Sequence, residues 1–173
     1  KTHLPHPRSP DLALAGRSNV GKSSRINKLC NRRGLVYFSA RPGKTQSLNY
    51  VLVENDLYLV DLPCYGFAKV PKKIKNVWQG MISSYFEKRE SLRCVVGIID
   101  IRHGVKEQDL ALVTWLQMME RTLLLVYTQA DKFKRNKPSQ QAETIDAEVG
   151  AAGEERVVFS YQSGEVLVAL LRA

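Results

Sequence analysis

The stretch Gly16-Arg17-Ser18-Asn19-Val20-Gly21-Lys22-Ser23-Ser24 carries the spacing Gly-x4-Gly-Lys-Ser. Each part of that pattern has a chemical use. The glycines let backbone N–H groups turn inward, and a helix N-terminus behind them completes an anion site. Lys22 is expected to reach the β- and γ-phosphates of a nucleotide, and the Ser23 hydroxyl to ligate Mg2+. A lysine aimed at phosphate should be removable without harm to the fold. Further along, Asp61 closes an apolar run, where a carboxylate can reach the metal through water. Thr45 offers a second hydroxyl from a loop-like segment, engaged only when a γ-phosphate is present, which makes that loop a switch. Lys22 and Thr45 are the candidate catalytic residues. Asp131, in Thr128-Gln129-Ala130-Asp131, can accept from the N1–H and 2-amine of guanine. Adenine has no such donor pair, so a carboxylate here selects GTP over ATP.

These residues need elements to hold them. An apolar strand at 11–15 precedes the glycine-rich loop, and a helix at 24–31 follows it. Strands at 47–53 and 57–61 flank a turn at Asn55-Asp56, and the alternation of Leu48, Tyr50 and Leu52 with Asn49, Val51 and Val53 suits a strand covered on both faces. The helix at 72–89 carries the core stripe Ile74, Val77, Trp78, Met81, Ile82 and Tyr85. Continuous apolar runs at 94–100 and 123–127 read as central parallel strands. The helix at 106–120 sets Leu110, Val113, Leu116 and Gln117 near one face, and a helix at 138–149, a strand at 156–159 and a helix at 164–171 complete the chain. The result is an α/β fold, a mostly parallel six-stranded sheet with one antiparallel strand and helices on both faces. Ligands of such sheets lie beyond the carboxyl ends of the strands, where the glycine-rich loop, Asp61, Thr128 to Asp131 and Ser160 converge.

A chain of 173 residues suits one such domain, 1–173, with a Pro- and His-rich surface arm at 1–10. No apolar run approaches the ~20 residues that span a bilayer, so no membrane association is expected. The start Lys1-Thr2-His3-Leu4-Pro5 lacks the apolar stretch of a secretory signal. Cys30, Cys64 and Cys94 are far apart and form neither a disulfide framework nor a zinc pattern, which fits a reducing, cytoplasmic setting, or an organelle had a targeting segment been trimmed. The net charge of +9 is uneven: residues 1–75 hold 14 Lys and Arg against 4 Asp and Glu, a net +10. That half is where a polyanion would dock, although a basic surface also serves solubility alone.

The glycine-rich loop, Pro42-Gly43-Lys44-Thr45-Gln46, the run Asp61-Leu62-Pro63-Cys64-Tyr65-Gly66-Phe67-Ala68-Lys69-Val70-Pro71, Ile99-Asp100-Ile101-Arg102-His103 and Phe159-Ser160 together resemble the EngB/YsxC-type ribosome-biogenesis GTP-binding proteins. The resemblance covers almost the whole chain. It implies a Ras-like G domain of the translation-factor-related, Era/Obg-like class, slow GTP hydrolysis, assembly of the large ribosomal subunit, and a link to cell division and septation. It also implies Mg2+ held by Ser23 and Thr45, with Asp61 reaching it through water, and K+ near Asn19. GTP or GDP would touch Gly16, Ser18, Asn19, Val20, Gly21, Lys22, Ser23, Ser24, Thr45, Asp61, Cys64, Thr128, Gln129, Asp131, Ser160 and Tyr161. The implied partners are the large-subunit precursor and rRNA, with no DNA, and the implied state is a monomer.

Three positions depart from that pattern. Cys64 stands where the family has a glycine whose N–H contacts the γ-phosphate, Gln129 replaces the lysine of Thr-Lys-x-Asp, and Tyr161 replaces a small residue beside the base. Tyr65 occupies the place where many GTPases keep a water-orienting glutamine. Slow intrinsic turnover is the expected result, helped by a partner. The alternative that Cys64 and Gln129 raise is a switch-impaired rRNA- or ribosome-binding module with weak or no hydrolysis.

Overall fold

The run Asp11–Gly16 forms β1, paired in parallel on both edges, and all of its residues are buried because both faces of the sheet are covered there. The computed structural model describes residues 9–17, 22, 48–53, 57–63, 72–133, 137–150 and 155–158, the backbone alone at 72–78 and 155–158. Next come β2, Asn49–Val53, and β3, Leu57–Asp61, then helix α1, Lys72–Lys88. β4 is Leu92–Asp100, α2 is Glu107–Met118, β5 is Leu123–Thr128, α3 is Lys137–Val149 and β6 is Glu155–Val158. The six strands run in the order β2-β3-β1-β4-β5-β6, parallel throughout except for the β2–β3 hairpin. Fold class, strand number and the single antiparallel strand agree with the sequence reading. The helices read at 24–31 and 164–171, the turn at Asn55-Asp56 and all of the arm but Ser9 and Pro10 lie outside the described residues.

One sheet face meets the described helices. Ala13, Ala15, Val60, Val95, Ile99 and Leu125 pack with Tyr85 and Phe86 of α1, Val113 and Leu116 of α2, and Ala142 and Ile145 of α3. The other face buries Leu12, Leu14, Leu59, Cys94, Val96, Ile98, Leu124 and Val126. In β4, Gly97 sits where a Cβ would come within 3.2 Å of the Leu125 side chain, so the close β4–β5 packing depends on its missing side chain.

Two readings of the sequence are corrected. β2 is an edge strand, paired among the described residues with β3 alone, so it is covered only in part on either face and Leu52 is 46% exposed. In α2 the buried face is Asp109, Val113 and Leu116, while Leu110 and Gln117 point outward. A carboxylate takes the place expected of a leucine because its partners travel with it: Arg17 donates to it from outside the helix and the Lys106 N–H from the helix start.

At the amino end of the sheet, Asp11 is fully buried and fully used. Arg89 clamps it with two donors, at 2.7 and 3.2 Å, and Tyr85 and Ser91 add hydroxyls at 3.1 and 3.3 Å. Its own N–H donates to the Ser91 carbonyl at 2.7 Å, so one residue fastens β1 to the turn before β4. The Asp11 bond is the main reason the Arg89 guanidinium holds its proton more firmly than usual, and burial pushes the Tyr85 hydroxyl well above its ordinary value. Tyr50 packs edge-on against Tyr58 and Tyr85 and lies under the Arg89 cation, yet its buried hydroxyl finds no hydrogen-bond partner among the described residues.

Arg89→Ala should therefore lower stability by about 3–5 kcal/mol, because it strands a buried carboxylate, and urea unfolding would read the loss. Tyr50→Phe should stabilise by about 1 kcal/mol or more, since it removes an unsatisfied buried hydroxyl. Burial pushes that hydroxyl up to about 12, with Asp11 reinforcing the rise and Arg89 opposing it. A raised folded value means its contribution is whole below pH 10, its unfolded value, and is lost as pH climbs through 12. Tyr50→Phe should accordingly flatten the fall in stability over that alkaline window.

Candidate functional site

Registry brings the site together. Leu14 of β1 lies opposite Asp61 of β3, Gly16 opposite Ile98 of β4, and Asp100 of β4 opposite Thr128 of β5. The carboxyl ends of four parallel strands thus fall along one edge, and Gly16, Asp61, Thr128, Gln129 and Asp131 stand there as the sequence suggested.

Lys22, downstream of β1, turns inward. Its ammonium pairs with the Asp61 carboxylate and donates to the Leu62 carbonyl at 2.7 Å, and both charged side chains are almost wholly buried. The lysine is therefore not free of the fold, as its phosphate-facing assignment implied. In the described structure it neutralises a carboxylate that burial would otherwise penalise heavily.

At the end of β5, Thr128 donates its hydroxyl to the Ile99 carbonyl at 3.2 Å, and the Ile101 N–H donates to the Thr128 carbonyl at 3.1 Å. These bonds lock the loops after β4 and β5 to each other. Gln129 then takes a left-handed conformation, φ +66°, which lets the chain turn sharply into the short 3-10 turn Ala130–Lys132. A Cβ makes that conformation unfavourable by about 1 kcal/mol, so Gln129 departs from the family pattern in side chain and sits at a strained point of backbone. Asp131 faces outward, 3.6 Å from its neighbour Lys132.

Sequence reasoning passed over two groups beside this edge. Asp100 is gripped by Arg102 through two side-chain donors, at 3.0 and 2.7 Å, and through the Arg102 N–H at 3.0 Å. Burial alone would raise the Asp100 carboxyl, but those bonds and the Arg102 charge outweigh it and hold it below the usual carboxylate range. Arg102 in turn is raised, by Asp100 first and with Asp131 adding to the field. His103 stands exposed, 4.0 Å from Asp100, as a loop residue would. The second group is Arg17, inside the glycine-rich loop, whose guanidinium reaches Asp109 of α2.

Ser18, Asn19, Val20, Gly21, Ser23, Ser24, Thr45, Cys64, Ser160 and Tyr161 lie outside the described residues, and with them the K+ position near Asn19. Among the described residues no cluster of three or more His, Cys, Asp or Glu could hold a metal, and no helix is long and apolar enough to cross a membrane.

The sheet order and the antiparallel β2–β3 pair are those of a Ras-like G domain, and comparison with known proteins narrows the class. The family described as 50S ribosome-binding GTPase matches residues 11–129, which makes this chain a P-loop GTPase. A probable GTP-binding protein EngB of Desulfotalea psychrophila is 49% identical over 94% of this chain and 84% of its own length. The chain belongs to the EngB family. Two solved structures share the fold: a probable GTP-binding protein engB, with a TM-score of 0.68 at 20% identity over 94% of this chain and 95% of the other, and Era in complex with MgGDPNP and nucleotides 1506-1542 of 16S ribosomal RNA, with a TM-score of 0.65 at 19% identity over 96% and 57%.

The buried pair yields a prediction. Lys22→Ala and Asp61→Ala should each destabilise the nucleotide-free chain by about 3–5 kcal/mol, whereas Lys22→Met with Asp61→Leu should cost much less than their sum. Denaturant midpoints would measure it. Single variants as stable as the parent would show that the pair leaves the fold alone.

Proposed function

We propose that this chain binds GTP with Mg2+, hydrolyses it slowly, and acts on the large ribosomal subunit and its rRNA in the cytoplasm. The observation that carries this reading is the meeting of the Lys22 ammonium with the Asp61 carboxylate at adjoining strand ends, a cation for phosphate beside an anion for metal. The donors fit Mg2+: one buried carboxylate with the hydroxyls of Ser23 and Thr45 is a sparse, hard-oxygen set, and Mg2+ keeps waters and phosphate oxygens as its other ligands. When bound, the ion would draw off charge that builds on the phosphoryl oxygens. Lys22 would leave Asp61 to bind the β- and γ-phosphates, and Asp61, released from the lysine, would hold a metal-bound water. Thr45 would close over the γ-phosphate, and Thr128, Gln129, Asp131, Ser160 and Tyr161 would surround the base.

Asp131 is the residue that would choose guanine. Its outward carboxylate stands on a turn fixed by Thr128, ready for two donors from a base. GDP should bind at least about tenfold more tightly than ADP, a difference of ~1.4 kcal/mol or more. Calorimetry with the two nucleotides checks it, and equal affinities would refute the guanine assignment.

The ribosomal part rests on the family description and on charge. Arg32, Arg33, Arg41, Lys44, Lys69, Lys72, Lys73 and Lys75 lie in the basic half, most of them in or beside the segments a γ-phosphate would order. Binding to 50S particles should weaken steeply with salt, by ~0.7–0.9 log units per phosphate contact for each log unit of salt. Co-sedimentation across a salt series, repeated with Lys72, Lys73 and Lys75 changed to Ala, tests this. A salt-independent interaction, or a triple variant that binds as the parent does, would leave the charge with a solubility role only.

A further inference from the structure

Arg17 stands directly after Gly16, at the first step of the glycine-rich loop, and its side chain leaves the loop sideways toward α2. Its Nε lies 2.9 Å from Asp109 Oδ2 and 3.2 Å from Oδ1, and its Nη2 reaches the Gly104 carbonyl at 3.4 Å. Asp109 is 1% exposed and also accepts the Lys106 N–H at 3.0 Å, so the same carboxylate starts the helix and holds the arginine. Gly104 has φ +59°, a bend that turns its carbonyl to the guanidinium. The loop it belongs to, between β4 and α2, also carries Arg102, which clamps Asp100 at the end of β4 and feels the charge of Asp131.

Such a fork is well suited to positioning. A guanidinium held at two acceptors restrains the backbone it springs from, and a loop restrained before its ligand arrives loses less conformational freedom on binding. Nothing in the packing of β1 demands the link, because β1 is already paired along both edges. The restraint therefore falls on Arg17 itself, at the point where β1 leads into the glycine-rich loop.

We infer that Arg17 and Asp109 form a positioning pair that fixes the point where β1 leads into the glycine-rich loop, so that affinity for the β-phosphate depends on a contact with α2. The pair's role rests on the proposed nucleotide binding and deepens it. Arg17→Ala and Asp109→Asn should each weaken binding of fluorescent mant-GDP by about tenfold, and the double variant should be no weaker than the weaker single one. Affinity for GMP, which lacks the β-phosphate, should move less than about twofold. Arg17→Lys, which keeps the charge without the fork, should recover part of the loss.

Parental GDP affinity in Arg17→Ala, additive losses in the double variant, or equal losses for GDP and GMP would each overturn the proposal. A general loss of fold would weaken GDP and GMP alike, so it falls under the last of these. If the parent chain itself bound no GDP, the nucleotide reading would fall and this inference with it. If the parent binds and the variants do not differ from it, the link alone fails.

Discussion

The register between β1 and β3 is the constraint on which the site depends. With Leu14 opposite Asp61, the carboxylate ends β3 beside the loop that begins at Gly16, and Lys22 closes the gap. A slip of one residue would turn Asp61 to the other face of the sheet and send Val60 and Leu62 out of the core, since successive side chains alternate sides. The hydrophobic contacts of Val60 and Leu62 and the ionic contact of Asp61 therefore select the same alignment. Packing and chemistry are specified by one set of residues.

Charge is buried at both ends of this sheet, with different consequences. At the amino end, the Asp11 carboxylate is already taken by four donors, two from Arg89 and one each from Tyr85 and Ser91. It ties β1 to α1 and to the start of β4, and its worth lies in uniqueness of structure as much as in energy. At the carboxyl end, Asp61 has a lysine and little else among the described residues, while Asp131 faces solvent. Fully satisfied charge at one end and exchangeable charge at the other divide the sheet into an anchored end and a working end.

Much of this was legible in the residues themselves. The continuous apolar runs of β1, β4 and β5 declare buried parallel strands, and the Gly-x4-Gly-Lys-Ser spacing places a loop after the first. What escaped reading was pairwise. That Arg17 meets Asp109 across 92 positions of sequence depends on where α2 begins, which no local pattern encodes. Asp109 gave no signal of its own, because a carboxylate on a helix is ordinarily solvated unless a partner comes from elsewhere. Leu110 was misread for the complementary reason: helical spacing gives faces but not which of two adjacent residues turns inward. Leu52 failed because alternation cannot tell an edge strand from a central one.

The Lys22–Asp61 pair also bears on how tightly a phosphate could be held. Any anion that takes the ammonium must first separate it from a buried carboxylate and from the Leu62 carbonyl, and that separation is subtracted from whatever the anion gains. A metal ion at Asp61 would lower the penalty, because it would give that carboxylate a new positive partner in place of the lysine. Phosphate and divalent cation would then be coupled through one carboxylate, each bound better when the other is present, and by the same factor. On this arrangement a nucleotide without its metal would meet a site still closed on itself. Preference for the metal-bound nucleotide would follow from the electrostatics of two side chains, before any contact with the base is made.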